Sequence, residues 1–310
     1  MFAVIASGQG NIDRAILEKS ASENQGRAII DSFSSTFKIN FLSLIASEEN
    51  LTRNAIAQPL AVASAVANWT LLSPHLPTPE FVAGYSVGEL SAWGCSGALT
   101  IEQLVAMTYA RCSLMEQYQP QQAGMLAIRG LGQEACQLQI KQLLGESRAY
   151  IAIVNEPDHF VIGGLKHDLR ILQQYCESSS IWTKLLDVSV PSHTPLMRQA
   201  QLKFREYLEQ ATFLPKPFIP VLSCLSGSIS TDTASGLHLL ARAIGEPIDW
   251  QACMQTLVDR GVRVVLELGP GNALTKMFNV AHPQVAIRSV ADFRTIQGVV
   301  SWIGTTLSKF

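Results

Sequence analysis

The stretch Phe81-Val82-Ala83-Gly84-Tyr85-Ser86-Val87-Gly88-Glu89-Leu90-Ser91-Ala92-Trp93 decides how this chain folds. Three apolar residues run into Gly84-Tyr85-Ser86-Val87-Gly88, and a helix-compatible run follows. Strand, sharp turn, helix is the setting in which G-x-S-x-G forms a nucleophile elbow. A strained turn leaves no room for a Cβ on either side of the serine, so glycines flank it. The turn lifts the Ser86 hydroxyl out at the strand's end. It also leaves the Val87 N–H at a helix N-terminus, where an oxyanion can be held. The pentapeptide alone fits a glycine-rich turn with an idle serine equally well, so its context must choose.

Outward from the elbow, helix-type segments alternate with short β-branched runs, which predicts an α/β fold with a mostly parallel sheet. Its strands are expected at Ala3–Ala6, Phe81–Gly84, Ile219–Ser223, Val262–Leu268 and Ala286–Val290. Each is short, apolar and closed by Gly, Ser or Pro. The middle of the chain reads differently. Met125–Arg129 predicts a strand and Glu134–Leu144 a helix. Tyr150–Val154 and Phe160–Gly163 read as strands around a turn at Asn155-Glu156-Pro157-Asp158. Leu169–Cys176 reads as a helix and Thr183–Val188 as a strand. The order β-α-β-β-α-β is that of a ferredoxin-like unit. The expectation is a large α/β-hydrolase-like domain from residues 1–121 and 191–310, with a small ferredoxin-like subdomain, 122–190, inserted into it.

The 310 residues are 47% hydrophobic and 15% charged with net charge −2, an ordinary globular composition. No global field points to nucleic acid or to a membrane surface. The six cysteines are scattered without a C-x-x-C pair, which favours reduced thiols over a disulfide framework or a metal site. Met1–Ala6 is apolar but short and lacks a basic start, so it reads as a first buried strand rather than a signal peptide. No apolar run is expected to reach the length of a membrane span. A cytoplasmic location follows from these readings.

A serine nucleophile needs a base. The histidines are His75, His159, His167, His193, His238 and His282. His159, His167 and His282 sit in polar, turn-like settings, His75 lies between prolines, and His238 falls in a helix-type segment. His193, in Val190-Pro191-Ser192-His193-Thr194-Pro195, follows a strand and precedes a helix, where a side chain can project into a cleft. An α/β-hydrolase runs Ser, acid, then His near its C-terminus. Here more than a third of the chain follows His193, including a second strand-to-helix turn at Glu267-Leu268-Gly269-Pro270-Gly271, so the layout is not that of an ordinary hydrolase.

Taken in order, the motifs resemble the malonyl-CoA:acyl-carrier-protein transacylase family, the acyltransferases of fatty acid and polyketide synthesis, over nearly the full length. The matching segments are Gly8-Gln9-Gly10, Gln58-Pro59 before a helix, Gly84-Tyr85-Ser86-Val87-Gly88-Glu89, Arg111 with Leu114-Met115, Asn155-Glu156-Pro157, Pro191-Ser192-His193 and Gly269-Pro270-Gly271. The resemblance implies that Ser86 carries the acyl group and His193 is the general base. It implies that a backbone carbonyl near Ala243 orients His193, and that the Gln9 and Val87 N–H groups form the oxyanion hole. Arg111 would hold the malonyl carboxylate with two parallel bonds that lysine cannot copy; unaligned, it would read as a helix-surface ion pair. Gln58 and Asn155 fit pocket lining and polar capping equally. Malonyl-CoA is the implied substrate and the phosphopantetheine-type arm of an acyl carrier protein the acceptor, with no bound cofactor or metal.

Two departures stand out. The family usually has Pro before G-Q-G, where this chain has Ser7, and His before the nucleophile, where it has Tyr85. Gly-Tyr-Ser-Val-Gly-Glu-Leu most resembles the epsilon subunit of malonate decarboxylase, which would add that complex's other subunits as partners. A fatty-acid or polyketide transacylase and a serine thioesterase remain as alternatives.

Overall fold

Two sheets organise the chain in its computed structural model, which describes residues 1–10, 12, 14–47, 51–146 and 148–310. The strands are β1 (Phe2–Ala6), β2 (Phe81–Gly84), β3 (Ala123–Arg129), β4 (Ala149–Glu156), β5 (His159–Leu165), β6 (Trp182–Leu185), β7 (Val221–Leu222), β8 (Ile229–Ser230), β9 (Ile248–Asp249), β10 (Val264–Glu267) and β11 (Ala286–Ser289). The first sheet has the order β11-β10-β1-β2-β7-β8. It is parallel except where β8 turns back on β7.

Strand periodicity explains why this sheet is sandwiched. Phe2, Val4 and Ala6 pack into one apolar cluster, and Ala3 and Ile5 into another on the opposite face. Val264 and Leu266 on β10 face the first cluster and Val265 the second. The helix Asn54–Leu72 lies within the first cluster. By length and composition it would pass for a membrane span, contrary to the sequence expectation. Its burial among neighbouring helices, in the apolar cluster it shares with one face of the sheet, accounts for that apolar character without a bilayer.

The second sheet runs β6-β3-β5-β4-β9. Its first four strands and the helices Gln133–Leu144 and Lys166–Ser178 follow along the chain as β-α-β-β-α-β. The fifth, β9, comes from well beyond residue 190 and pairs parallel with β4. Leu126, Ile128, Phe160 and Ile162 pack on the two helices. Met125, Ile153 and Val161, pointing the other way, join the cluster on the second face of the first sheet. The two sheets therefore face one another across shared apolar side chains.

The expected elements differ from the observed ones in informative places. β6 ends at Leu185 rather than Val188, and β7, β10 and β11 are shorter than Ile219–Ser223, Val262–Leu268 and Ala286–Val290. Gln58-Pro59 lies inside the helix Asn54–Leu72, not before it. Asn155 and Glu156 belong to β4, because Pro157-Asp158 alone closes the turn to β5. His159 opens β5 rather than sitting in a turn.

Candidate active site

The elbow is as tight as its glycines suggest. A Cβ on Gly84 would stand 2.0 Å from the Gly88 carbonyl carbon, and one on Gly88 would stand 2.2 Å from the Ala6 oxygen. Ser86 itself has φ 57°, a left-handed conformation that L-residues avoid. Non-glycine residues hold it only where surrounding structure imposes it, and such strain clusters at reactive positions.

Ser86 Oγ lies 2.7 Å from His193 Nε2. His193 also has positive φ, 64°, and its N–H donates to Ile244 O at 2.9 Å. Its Nδ1 bonds to the Ala243 carbonyl oxygen. A carbonyl can only accept, so Nδ1 carries the hydrogen and Nε2 is left to accept from the Ser86 hydroxyl. Ala243 caps the C-terminus of the helix Thr233–Arg242, where carbonyls lack helical partners and partial negative charge gathers. That end favours a positive charge arising transiently on the imidazole. In the resting state the ring is neutral: burial, and then the Arg111 charge, push its pKa down to about 3 against the pull of Ala243.

A cavity of about 720 Å³ opens onto this pair, lined on one side by Ser7, Gly8, Gln9 and Gly10 and on the other by Met125, Ile153 and Val161 from the second sheet. Gln9 lines it through its loop, and Val87 stands at the N-cap of the helix Gly88–Cys95. Among the described residues, neither the Gln9 nor the Val87 N–H donates to another backbone group.

Arg111, Gln58 and Asn155 are absent from the cavity wall. All three are buried, each no more than 2% exposed, Arg111 and Gln58 as one bonded tier and Asn155 against Tyr85 of the cavity wall. Arg111 Nη1 donates to Gln58 Oε1, and Gln58 Nε2 to Asn54 Oδ1, while Arg111 Nε has no partner. This is not the surface ion pair that an arginine on a helix usually makes. Asn155 Oδ1 accepts from the Tyr85 hydroxyl at 3.0 Å, joining β4 to the elbow, and the Tyr85 ring meets Trp250 edge-on.

Sequence reasoning gave no role to two buried carboxyls. Glu89 Oε2 accepts the Cys224 N–H at 2.7 Å, Oε1 is unpartnered, and burial pushes the group up to about 7. Glu267 accepts from Ser7, Leu274 and Thr275. The available signal was a lone acid inside an apolar run, as in Val265-Leu266-Glu267-Leu268. Among the described residues, no group of three or more His, Cys, Asp and Glu side chains is arranged to hold a metal ion.

The profile of the acyl transferase domain family matches residues 14–299. The malonyl CoA-acyl carrier protein transacylase of Haemophilus influenzae is 29% identical, covering 96% of this chain and 98% of its own. That of Bacillus subtilis is 27% identical over 87% of both. The acyl carrier protein S-malonyltransferase structure from Vibrio cholerae superimposes with TM-score 0.87 at 27% identity, over 96% of this chain and 99% of the other. A malonyl-transacylase solved with its type II polyketide acyl-carrier protein gives 0.89 at 27%, over 97% and 99%.

Proposed function

The chain belongs to the acyl transferase domain family, and from that premise we propose that it moves a malonyl group from malonyl-CoA, through an ester on Ser86, to the thiol of a carrier protein's prosthetic arm. The observation that carries this reading is the relay Ser86 Oγ to His193 Nε2, His193 Nδ1 to Ala243 O, opening on the cavity with a buried guanidinium behind it.

The chemistry follows from that relay. Ser86 Oγ attacks the thioester carbonyl carbon as its proton passes to His193 Nε2. The oxyanion formed is met by the N–H groups of Gln9 and Val87. The C–S bond breaks, and the departing CoA sulfur takes the proton from His193. The carrier's thiol then gives its proton to His193 and attacks the Ser86 ester, and collapse returns the proton to Ser86 Oγ. A neutral resting imidazole is the form this cycle needs at its start, and its depressed pKa supplies it.

For the acyl group, the support is Arg111. A fully desolvated cation is costly without an anion, and among the described residues Arg111 forms no carboxylate ion pair within 4 Å. Its positive charge also helps to hold the His193 pKa down, in keeping with a place near the reacting atoms. A malonyl carboxylate supplies the missing charge, with Gln58 steadying the guanidinium.

The finer placement, in malonate decarboxylase with its other subunits as partners, rests on the resemblance of Gly84-Tyr85-Ser86-Val87-Gly88-Glu89-Leu90 to that complex's epsilon subunit. A fatty-acid or polyketide transacylase would use the same site. A cytoplasmic setting fits six free, buried cysteines. The test is mass spectrometry of the intact protein after malonyl-CoA. One malonyl mass should appear, be discharged by holo-carrier protein, and be missing in Ser86→Ala. Discharge to water at the same rate with or without carrier would make the protein a hydrolase instead.

A further inference from the structure

Glu267 closes β10 with its side chain wholly buried, and the acyl-transfer cycle above gives it nothing to do. Yet its two oxygens accept four hydrogen bonds. Oε1 takes the Ser7 hydroxyl at 2.6 Å and the Leu274 N–H at 3.2 Å. Oε2 takes the Thr275 N–H and the Thr275 hydroxyl, both at 2.7 Å. Two donors on each oxygen is the pattern that suits an ionised carboxylate. Burial pushes its pKa up while all these donors pull the other way.

The donors come from two walls of the cavity. Leu274 lines it from the first turn of the helix Ala273–Ala281, and Ser7 from the loop that leads to Gln9. That loop needs an anchor. Gln9 stands between Gly8 and Gly10, the two residues least able to fix a backbone by themselves. A Cβ on Gly10 would meet nothing within 4 Å, whereas one on Gly8 would stand 3.0 Å from the Tyr85 carbonyl oxygen at the elbow. The nearest upstream side chain that can hold the loop is Ser7, only 6% exposed, whose own N–H makes a long 3.4 Å bond to Gly269 O.

We propose that Glu267 and Ser7 are positioning residues for acyl transfer: the buried carboxylate holds the Ser7 hydroxyl, and Ser7 thereby sets the Gln9 N–H opposite the Val87 N–H. This rests on the acyl-transfer reading, which gives those N–H groups their work. Oxyanion donors act only within about 2.7–3.1 Å of the developing charge, and removing one outright costs roughly 10²–10³ in rate. A donor left in place but loosely held costs less.

The experiment is rapid-quench acylation by malonyl-CoA, with kcat and KM for transfer to carrier protein, for wild type, Ser7→Ala, Ser7→Thr and Glu267→Gln. Ser7→Ala should lower the acylation rate about tenfold with KM within about twofold, because the oxyanion exists only in the transition state. Ser7→Thr, which keeps the hydroxyl, should recover most of the rate. Glu267→Gln should show the same split, and if it does not fold the two Ser7 variants decide. A loss that merely tracks the fraction of folded protein overturns the proposal, as does a raised KM at unchanged kcat, or a Ser7→Ala enzyme as fast as wild type. Failure of the substrate reading looks different: wild type would itself take acetyl but not malonyl, and the Ser7 comparison would then be read with acetyl-CoA.

Discussion

Ser86 and His193 sit at φ 57° and 64° on turns that open onto the cavity, whereas Arg111 and Gln58 sit in regular helices behind it. Both pairs are hydrogen-bonded within themselves, yet they are held by different means. The reactive pair must bring a hydroxyl and an imidazole together at 2.7 Å with substrate able to reach them, and turns in unusual conformations achieve that projection. The cation must be kept dry and still, and two packed helices achieve that instead. Left-handed backbone also occurs at Lys38, Gln122 and Ser180. What sets Ser86 and His193 apart is that conformation joined to a 2.7 Å contact at the cavity, while burial desolvates His193 and Arg111 alike.

The largest effect should come from the reactive pair. His193→Ala should slow acylation of Ser86 by on the order of 10²–10⁴, since a serine hydroxyl without a base is a poor nucleophile. Single-turnover acylation measures this. If His193→Ala acylates normally while a variant at His75, His159 or His238 does not, the turn-borne pair is not the reactive one and the comparison collapses.

The buried tier should be selective rather than indispensable. Arg111→Ala should lose malonyl transfer by about 10²-fold, in keeping with roughly 2–5 kcal/mol for one partner lost from a desolvated charge pair. Acetyl transfer should hold or improve, because acetyl brings no charge to be met. Arg111→Lys should rescue only part, lacking the two-pronged contact. The readout is kcat/KM for malonyl-CoA and acetyl-CoA in all three proteins. Equal losses on both substrates would make Arg111 a support of the fold and withdraw its assignment to the acyl group.

The same divide marks what was legible in the sequence. The elbow could be read because its demand is local: a Cβ at Gly84 or Gly88 collides with backbone a few residues away or on the adjacent strand. Four strands of the first sheet, β1, β2, β7 and β10, could be read because each is a mainly apolar segment buried on both faces, whereas β11, at the edge, alternates buried with half-buried residues. Ala243 left no side-chain signal, since its contribution is a carbonyl at a helix end; only family resemblance pointed there. Gln58 could not be told from a capping residue, because its contact with Arg111 is made by packing two helices far apart in the chain. Strands β8 and β9, two residues each, carry no periodicity to detect. Asn155 was expected in a turn because Asn-Glu-Pro-Asp is turn-rich, but β4 carries register shifts that extend it to Glu156.

Acidity separates the two tiers by a smaller factor. An unperturbed imidazole, protonating near pH 6.5, would lose about tenfold of its base form by pH 5.5. The His193 pKa is pushed down to about 3, so kcat/KM for acylation should stay nearly level from pH 7.5 to 5.5. Stability shows the matching sign. The unfolded chain takes a proton at this histidine below about 6.5 and the folded one refuses it until about 3, so this contribution is present above 6.5 and is lost as pH falls through that window. Glu89, pushed up to about 7, works in reverse and favours the fold less as pH rises from about 4.5 to 7. In stability against pH, a bend near 7 that disappears in Glu89→Gln would belong to Glu89. In kcat/KM for acylation, an inflection near 6.5 would mean that His193 is not desolvated as described.

The smallest effect tests the strain itself, by making one change on each side of the divide. At Ser86, alanine keeps the Cβ that the left-handed conformation crowds, whereas glycine removes it. The relief of about 1–2 kcal/mol is partly offset by the extra freedom glycine gains when unfolded, about 0.5–1 kcal/mol. Ser86→Gly should therefore be more stable than Ser86→Ala by about 0.5–1 kcal/mol, although both are inactive. Ala110 lies next to Arg111 in the regular helix Ile101–Tyr118, where no such strain exists to be relieved. There Ala110→Gly should cost about 0.5–1 kcal/mol against wild type, the ordinary penalty inside a helix. Urea denaturation of the four proteins at one pH gives both differences. The alanine-to-glycine exchange should carry opposite signs at the two positions. If it destabilises at both, the elbow holds no strain at Ser86, and the contrast between a strained reactive pair and a relaxed recognition tier is lost.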